Sequence, residues 1–434
     1  MPIYRYLLFL CGQIGMMSLA RFLYQWILKF GNQKNLEIPL FDPILLGSAF
    51  VAFRIFDGLS DPIAGKITDS WKRRGFQRRT LLLFTFFLAP IGLAITFSCN
   101  HNLPQPANWF ILLIGLLIFF IGYTFYAIPY WSLIDDYSQN NNNIRSKLSG
   151  LLGLGIVIGS GIGNGASGFL INSYGYGKTG IFFAFGSILL MALPYWASPK
   201  KISTEHQSKL SNHKADSLWA GIISALKHRK FLALIALFGG SQMSFAIMTA
   251  AAPFIAQDLL GGSEQDSAAL MGPLIGAAIP FFFFVPKIQI KFGWLNCMLW
   301  ASMALAIVYL CSGLLGNDLI LSPLVTAAFV FGMGGPMVAV LLGVEAEGVV
   351  DCAKSNSKTN SVGTYWGAFN LVVKILNGIA VFMASILISL QSQWGVIAVR
   401  SMSFLAGLCL ILGVVIYYLL RPNKKTNEKE SVTN

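Results

Sequence analysis

Between positions 54 and 61 the chain places an arginine and two aspartates, Arg54, Asp57 and Asp61, three and then four residues apart. That spacing puts the three side chains on one face of a helix. The surrounding residues are apolar, so the chemistry is that of charges held out of water. Two carboxylates about 6 Å apart in a low dielectric do not both stay ionised without a counter-charge. The pattern therefore predicts a place for a cation or a proton. A permanent buried salt bridge that only locks helices together is the plainer reading of the same residues. Lys374 carries a polar stripe with Asn370 at i−4 and Asn377 at i+3. It lies about 14 residues from either end of its apolar run, too deep for a lysine that snorkels to the interface. It is expected to pair with Asp57 or Asp61 when the cation leaves. Arg21 is the fifth charge set deep in an apolar run. Pro62, next to Asp61, removes one intrahelical hydrogen bond and frees a carbonyl nearby.

Each such charge costs several kcal/mol in a membrane unless it is paired or solvated, and the rest of the chain places these residues in one. Of 434 residues, 55% are hydrophobic and 11% charged, and 34 are Phe. Soluble domains carry about 25% charged residues. The mean hydropathy is +0.64. This composition excludes soluble-enzyme and nucleic-acid-binding readings. Twelve apolar runs, at 4–30, 43–65, 81–97, 109–134, 148–171, 181–196, 231–257, 270–285, 294–315, 319–344, 362–390 and 396–420, predict an all-α membrane protein of twelve transmembrane helices in two six-helix halves. The halves are expected at 1–198 and 231–420. A cytoplasmic link at 199–230 joins them, and a cytoplasmic tail follows at 421–434. Within the link, Leu218, Trp219, Ile222, Ile223 and Leu226 form one apolar face, predicting a helix lying along the membrane surface.

The formal charge of +13 is informative through its distribution. With the N-terminus inside, most of the Lys and Arg fall in cytoplasmic segments, so both termini are expected in the cytoplasm. The first run is too long for a signal peptide and lacks a small-residue cleavage site, so it is read as a retained helix. Gly155, Gly159 and Gly163 recur every four residues and predict close helix packing. Asn140–Asn143 reads as a solvated loop. The six cysteines are widely separated and read as small apolar residues.

Three stretches carry a resemblance. They are Arg54-Ile-Phe-Asp57-Gly-Leu-Ser-Asp61-Pro62-Ile-Ala-Gly65-Lys-Ile-Thr-Asp69 with its basic turn, Tyr123-Thr124-Phe-Tyr-Ala127-Ile-Pro129-Tyr130-Trp131-Ser132, and Asn370-Leu-Val-Val-Lys374. Together with the 6+6 layout they resemble the glycoside-pentoside-hexuronide:cation symporters, the melibiose-permease-like branch of the major facilitator superfamily. The resemblance implies a major facilitator fold and a monomer in the plasma (inner) membrane. It implies cation-binding residues Asp57, Asp61 and Thr124, where Na⁺ would be held, with coupling to Na⁺ or H⁺ and no other cofactor. It also implies a cavity lined by Arg54, Tyr123 and Trp131, with Asn370 and Lys374 close by. The turn after span two is similar to the superfamily's inner gate, which implies gating by Gly65, Asp69, Arg73 and Arg74.

The departures point to the substrate. Ala127 and Met17 stand where the melibiose-type pattern has sugar-gripping acids, Leu152 or Gly153 where it has a base, and Ser60 where an Asn is common. Arg21 lies one turn from Met17 on the same helical face, so a cavity that lost acids gained a base. Counting Arg21, Arg54 and Lys374 against Asp57 and Asp61, the formal sum is +1, and +2 with a bound cation. An arginine fork suits carboxylate, sulfate or phosphate, which predicts an anionic substrate, hexuronide-like or another organic acid. Alternatively, Arg21 pairs with an acid such as Asp57. A second cargo, a lysophospholipid taken by a sodium-dependent symporter, is suggested by the Phe281–Phe284 run, which as a lipid-facing stripe has a simpler explanation. An enzyme is not expected: all four histidines lie in loops, and the spans hold no metal-ligand cluster and no nucleophile with a partner base. Nothing repeats as a channel's selectivity filter would.

Overall fold

The computed structural model describes residues 1–35, 38–138, 141–197, 218–316, 322–354 and 362–421. The first part of the expected link and the tail beyond 421 lie outside the described residues. The chain is built from α1 (Ile3–Gly31), a small hairpin of β1 (Lys34–Asn35) and β2 (Ile38–Pro39), α2 (Pro43–Arg73), α3 (Arg79–Thr85), α4 (Leu88–Thr96), α5 (Gln105–Ser138), α6 (Asn142–Ser160) and α7 (Ser167–Ala192). It continues through α8 (Leu218–Lys227), α9 (Arg229–Phe254), α10 (Ala268–Phe282), α11 (Val285–Phe292), α12 (Trp294–Ser312), α13 (Pro323–Lys354), α14 (Val362–Ser389), α15 (Gln391–Trp394) and α16 (Val396–Leu420). Helices dominate because hydrocarbon offers no partners for backbone N–H and C=O groups, which a helix satisfies internally.

Ten stretches are long and apolar enough to cross a membrane. One of them, Lys147–Ala197, has 51 residues, more than twice the ~20 that a bilayer needs. It turns at Gly175, whose φ of 75° is one that L side chains rarely adopt, and so crosses twice. The pair α10 and α11, bent by 64°, makes one more crossing. Among the described residues the ten stretches and the bent pair give eleven spans by length and composition, and the turn at Gly175 divides the longest of them as the expected runs 148–171 and 181–196 divide it. Several boundaries differ from expectation, among them the following. The second span does not stop at Gly65 but continues as helix to Arg73, because the charged residues after Gly65 are good helix formers beyond the membrane. Half of the expected 140–143 loop is helix, since α6 begins at Asn142. The apolar face expected in the link lies on a helix, α8.

The glycine stripe of the fifth span sets how closely it approaches α1. A Cβ at Gly155, Gly159 or Gly163 would lie 2.6 Å from Gln13 Cβ, 2.6 Å from Met17 Cβ and 2.7 Å from Arg21 Cβ, respectively. These glycines bring the backbones together directly beneath Arg21. Between Ser160 and Ser167 the fifth span widens into a π-helical turn, Gly161–Ala166.

The first six spans meet the last six along a seam at the face opposite the chain ends. There Asn32 Nδ2 donates to Gln391 Oε1 at 3.4 Å, and Gln391 Nε2 donates within the last six spans to Asp258 Oδ2 at 2.9 Å. A Cβ on Gly168 would overlap the Glu264 carbonyl oxygen. Towards the membrane centre, α2 and α14 approach at Gly47 against Ser385, Gly378 against Arg54 and Gly58 against Leu371. The molecule is thus closed on this far face, and the α2–α14 contact runs from there to mid-membrane.

The tight α1–α6 contact yields a stability prediction. Gly159→Ala should lower stability by about 1–3 kcal/mol through overpacking. Gly153→Ala, where a Cβ meets nothing within 4 Å, should stay within about 0.5 kcal/mol. Thermal unfolding of the purified protein checks both; equal effects would contradict the packing account.

Candidate functional site

The glycine contacts between α2 and α14 bring four charges into one cluster at mid-membrane. Arg54 Nη1 donates to Asp57 Oδ2 at 2.5 Å and to the Tyr24 hydroxyl at 2.9 Å. Its guanidinium lies over the rings of Tyr24 and Phe120, 5.3 and 5.8 Å from their centroids. Lys374 Nζ bridges both acids, 3.1 Å from Asp57 Oδ1 and 2.7 Å from Asp61 Oδ1. From α5, Thr124 Oγ1 donates to Asp57 Oδ1 at 2.6 Å and lies 3.4 Å from Asp61 Oδ1. Ser60 Oγ contacts Thr124 Oγ1 at 3.3 Å and donates to the Asp57 carbonyl at 2.9 Å.

Two cations balance two anions here, so the cluster is formally neutral. Asp57 and Thr124 are fully buried, whereas Asp61 and Lys374 keep side-chain exposures of 12% and 14%. Neutrality and mutual hydrogen bonding let four charges persist in a low dielectric. The open edge at Asp61 and Lys374 is where an entering ion or proton could exchange. The donor set of two carboxylates and a hydroxyl suits a hard monovalent cation. Among the described residues there is no group of three His, Cys, Asp or Glu that could hold a metal ion.

Arg54, with 5% of its side chain exposed, turns its Nη1 to Asp57 and Tyr24, while its Nε has no hydrogen-bond partner among the described residues. Tyr123 is 7% exposed and stacked on Phe119. Trp131 Nε1 donates to Gln13 Oε1 at 3.1 Å. Asn370 is half-buried on the α14 stripe.

Arg21 stands apart from this cluster. Its Nε donates to Ser160 Oγ at 3.2 Å, and its guanidinium lies 4.8 Å from the centroid of the Phe245 ring. Phe245 belongs to α9, so Arg21 lies where the first six spans face the last six. Among the described residues no carboxylate pairs with it. The acid expected as its alternative partner, Asp57, is taken by Arg54 and Lys374.

On the face of the chain ends, Arg78 bonds Asp69 at 2.8 Å and Asp136 at 3.3 Å, and Lys72 bonds Asp136 at 2.7 Å. Asp69 is thus paired, but Arg73 and Arg74 are exposed and make no ion pair among the described residues, and Gly65 has open space beside it. The ion pairs found at this turn among the described residues join Lys72, Arg78, Asp69 and Asp136, all of the first six spans. Arg78 and Asp136 escape sequence reasoning because the turn reads as one motif, without a partner at the far end of α5. Tyr24 escapes it too, although its place one turn beyond Arg21 on the same face is a usable signal. Glu345, on α13, lies one residue past the expected end of its run and goes unnoticed for that reason.

The two acid clusters should respond differently to truncation. Asp57→Ala leaves Arg54 and Lys374 buried beside one acid and should cost about 3–5 kcal/mol. Asp69→Ala, at a site with 62% side-chain exposure, should cost about 0–1 kcal/mol. Thermal unfolding in detergent reads both; a small loss in Asp57→Ala would contradict the buried network.

The chain matches the family described as MFS/sugar transport protein over residues 8–423. Comparison with curated proteins finds no match. Similar solved structures include the nucleoside transporter NupG at 15% identity and a TM-score of 0.66, covering 96% of this chain and 100% of that one. A point mutant of NupG is similar at 10% identity and a TM-score of 0.67, covering 95% and 100%. The POT family transporter PepTSo is similar at 14% identity and a TM-score of 0.67, covering 97% and 98%. At these identities the likeness establishes the fold, an all-α major facilitator architecture. The chain belongs to the MFS/sugar transport protein family and is a multi-pass membrane transporter, not an enzyme.

Proposed function

We propose that this transporter is a symporter of the melibiose-permease-like branch, carrying a small anionic solute, hexuronide-like or another organic acid, together with Na⁺ or H⁺. The observation that carries the proposal is the shared lysine. Lys374 sits within 3.1 and 2.7 Å of Asp57 and Asp61, respectively, so the acid pair can be neutralised by Lys374 or by a cation. A cation entering at Asp57, Asp61 and Thr124 displaces the ammonium and leaves its charge uncompensated. With Arg21 counted, the empty carrier has a formal charge of +1 at these five residues, and the cation raises it to +2. One anionic solute returns it to +1. The empty and fully loaded carriers therefore match in charge, and the half-loaded ones do not. The cation-only carrier, at +2, is the costliest to bury as the seam closes, so the cation is not carried across without the anionic solute.

In this reading the two six-span halves rock about the bound cargoes, with the arrangement described here closed on the far face. The basic residues on the face of the chain ends favour placing that face in the cytoplasm, in a plasma membrane, and the carrier works as a monomer. Asp69, Lys72, Arg78 and Asp136 steady the first six spans at the cytoplasmic side. The lysophospholipid alternative draws no support from Phe281–Phe284. This run lies at the α10–α11 bend near the face of the chain ends, whereas Arg21 lies in the far-face half of α1.

In proteoliposomes, Asp57→Asn and Asp61→Asn should each abolish cation-driven uptake, while retained ion-dependent accumulation in both would contradict the coupling role. Arg21→Gln should lower affinity for an acidic solute by about tenfold or more, the loss expected for a charge-assisted hydrogen bond. Unchanged affinity would remove Arg21 from the substrate site.

A further inference from the structure

One turn outward from Arg21 and Ser160 lie two amide side chains that the coupling reading does not use. Gln25, on α1, is fully buried. Its Nε2 donates to the Asn164 carbonyl at 3.1 Å and to Ser267 Oγ at 3.3 Å, while its Oε1 has no partner among the described residues. Asn164 is fully buried as well, and neither its Oδ1 nor its Nδ2 has a partner there. It sits in the π-helical turn Gly161–Ala166, a backbone irregularity often found at functional sites. Three unpartnered amide atoms in one place are a standing destabilisation, since each buried unsatisfied group is unfavourable.

The location accounts for them. Ser267 belongs to the last six spans, so the Gln25–Ser267 bond crosses the seam that closes the far face. When the seam parts, Gln25 loses that partner, and both amides are uncovered beside Arg21. An amide presents donor and acceptor together, which is also what a hydroxyl needs. A guanidinium with the Asn164 amide and the Gln25 carboxamide oxygen about 6 Å further along the same helices fits a compact acid whose carboxylate is separated from its hydroxyls by roughly that distance.

We infer that Gln25 and Asn164 form a second subsite that reads the hydroxyl groups of the solute whose acid group is held by Arg21, restricting the substrate to hydroxylated, sugar-like acids. This rests on the anionic reading above and deepens it. The amides are left without partners on closure because the site is built for the open, substrate-receiving arrangement, at some loss of stability.

The test compares two acids of equal charge and similar ring size, D-glucuronate and cyclohexanecarboxylate, by thermal-shift titration of the full-length protein with Na⁺ present. Wild-type protein should bind glucuronate at least tenfold more tightly. Asn164→Leu and Gln25→Met should each lose about tenfold or more for glucuronate while changing cyclohexanecarboxylate by less than about threefold. Arg21→Gln should weaken both. Asn164→Leu should also melt no lower than wild type, since it removes two unpartnered groups; a purely structural asparagine predicts the opposite. If Asn164→Leu does not purify folded, Asn164→Ala gives the same comparison. Unchanged glucuronate affinity in the Asn164 and Gln25 variants, or equal losses for both acids, would overturn the subsite while leaving the anionic reading intact. Failure of wild-type protein to bind either acid would overturn the anionic reading and the subsite with it.

Discussion

The bridge from Lys374 to Asp57 and Asp61 is the contact on which the architecture turns, because it is the point where buried charge joins the two groups of six spans. Lys374 stands on a different helix from both acids. Asp57 and Asp61 come from α2, Lys374 from α14, and the bridge forms only because Gly58 and Gly378 let the two backbones approach closely. Small residues at the contact are how helices associate in lipid, where apolar burial offers no driving force. Packing and charge thus depend on each other. Without the glycines the lysine is out of reach, and without the lysine the seam closes over unbalanced carboxylates.

Around this bridge the polar groups fall into two sets. Arg54, Tyr24, Thr124 and Ser60 hold Asp57 in a fixed, hydrogen-bonded environment, which suits a permanent scaffold. Asp61, Lys374 and Arg21 keep partial exposure or lack an opposite charge, which suits groups that change partners. This division sets the two arginines apart: Arg54 is ion-paired within the cluster, and Arg21 has no carboxylate partner among the described residues. Their surroundings differ accordingly, since Arg54 lies against its acid and two rings whereas Arg21, among the described residues, meets a serine hydroxyl and the Phe245 ring.

Much of this is legible in the sequence, for identifiable reasons. Arg54, Asp57 and Asp61 declare a common face through their spacing, and the depth of Lys374 within its apolar run argues for a buried partner. The number of spans follows from apolar runs that a bilayer requires to be about 20 residues long. Other features depend on tertiary contact and leave no local trace. The pairing of Arg78 with Asp136 joins positions 58 apart in the chain, and nothing near either residue names the other. Asn164 looks like one small polar residue in a glycine-rich span, and only its burial without partners sets it apart. The role of Arg54 stays open in the sequence because spacing gives direction on a helix but not which neighbouring ring or hydroxyl a guanidinium meets.

The central claim is that the acid pair couples solute movement to a cation, and gradient-driven transport tests it most directly. Purified protein in sealed liposomes would be given labelled glucuronate under an imposed inward Na⁺ gradient, an inward proton gradient, or neither. The account predicts transient accumulation above the outside concentration under at least one cation gradient and only slow equilibration without one. Equal uptake under all three conditions would show that the carrier moves its solute without a coupled ion, and would contradict the role assigned to Asp57, Asp61 and Lys374.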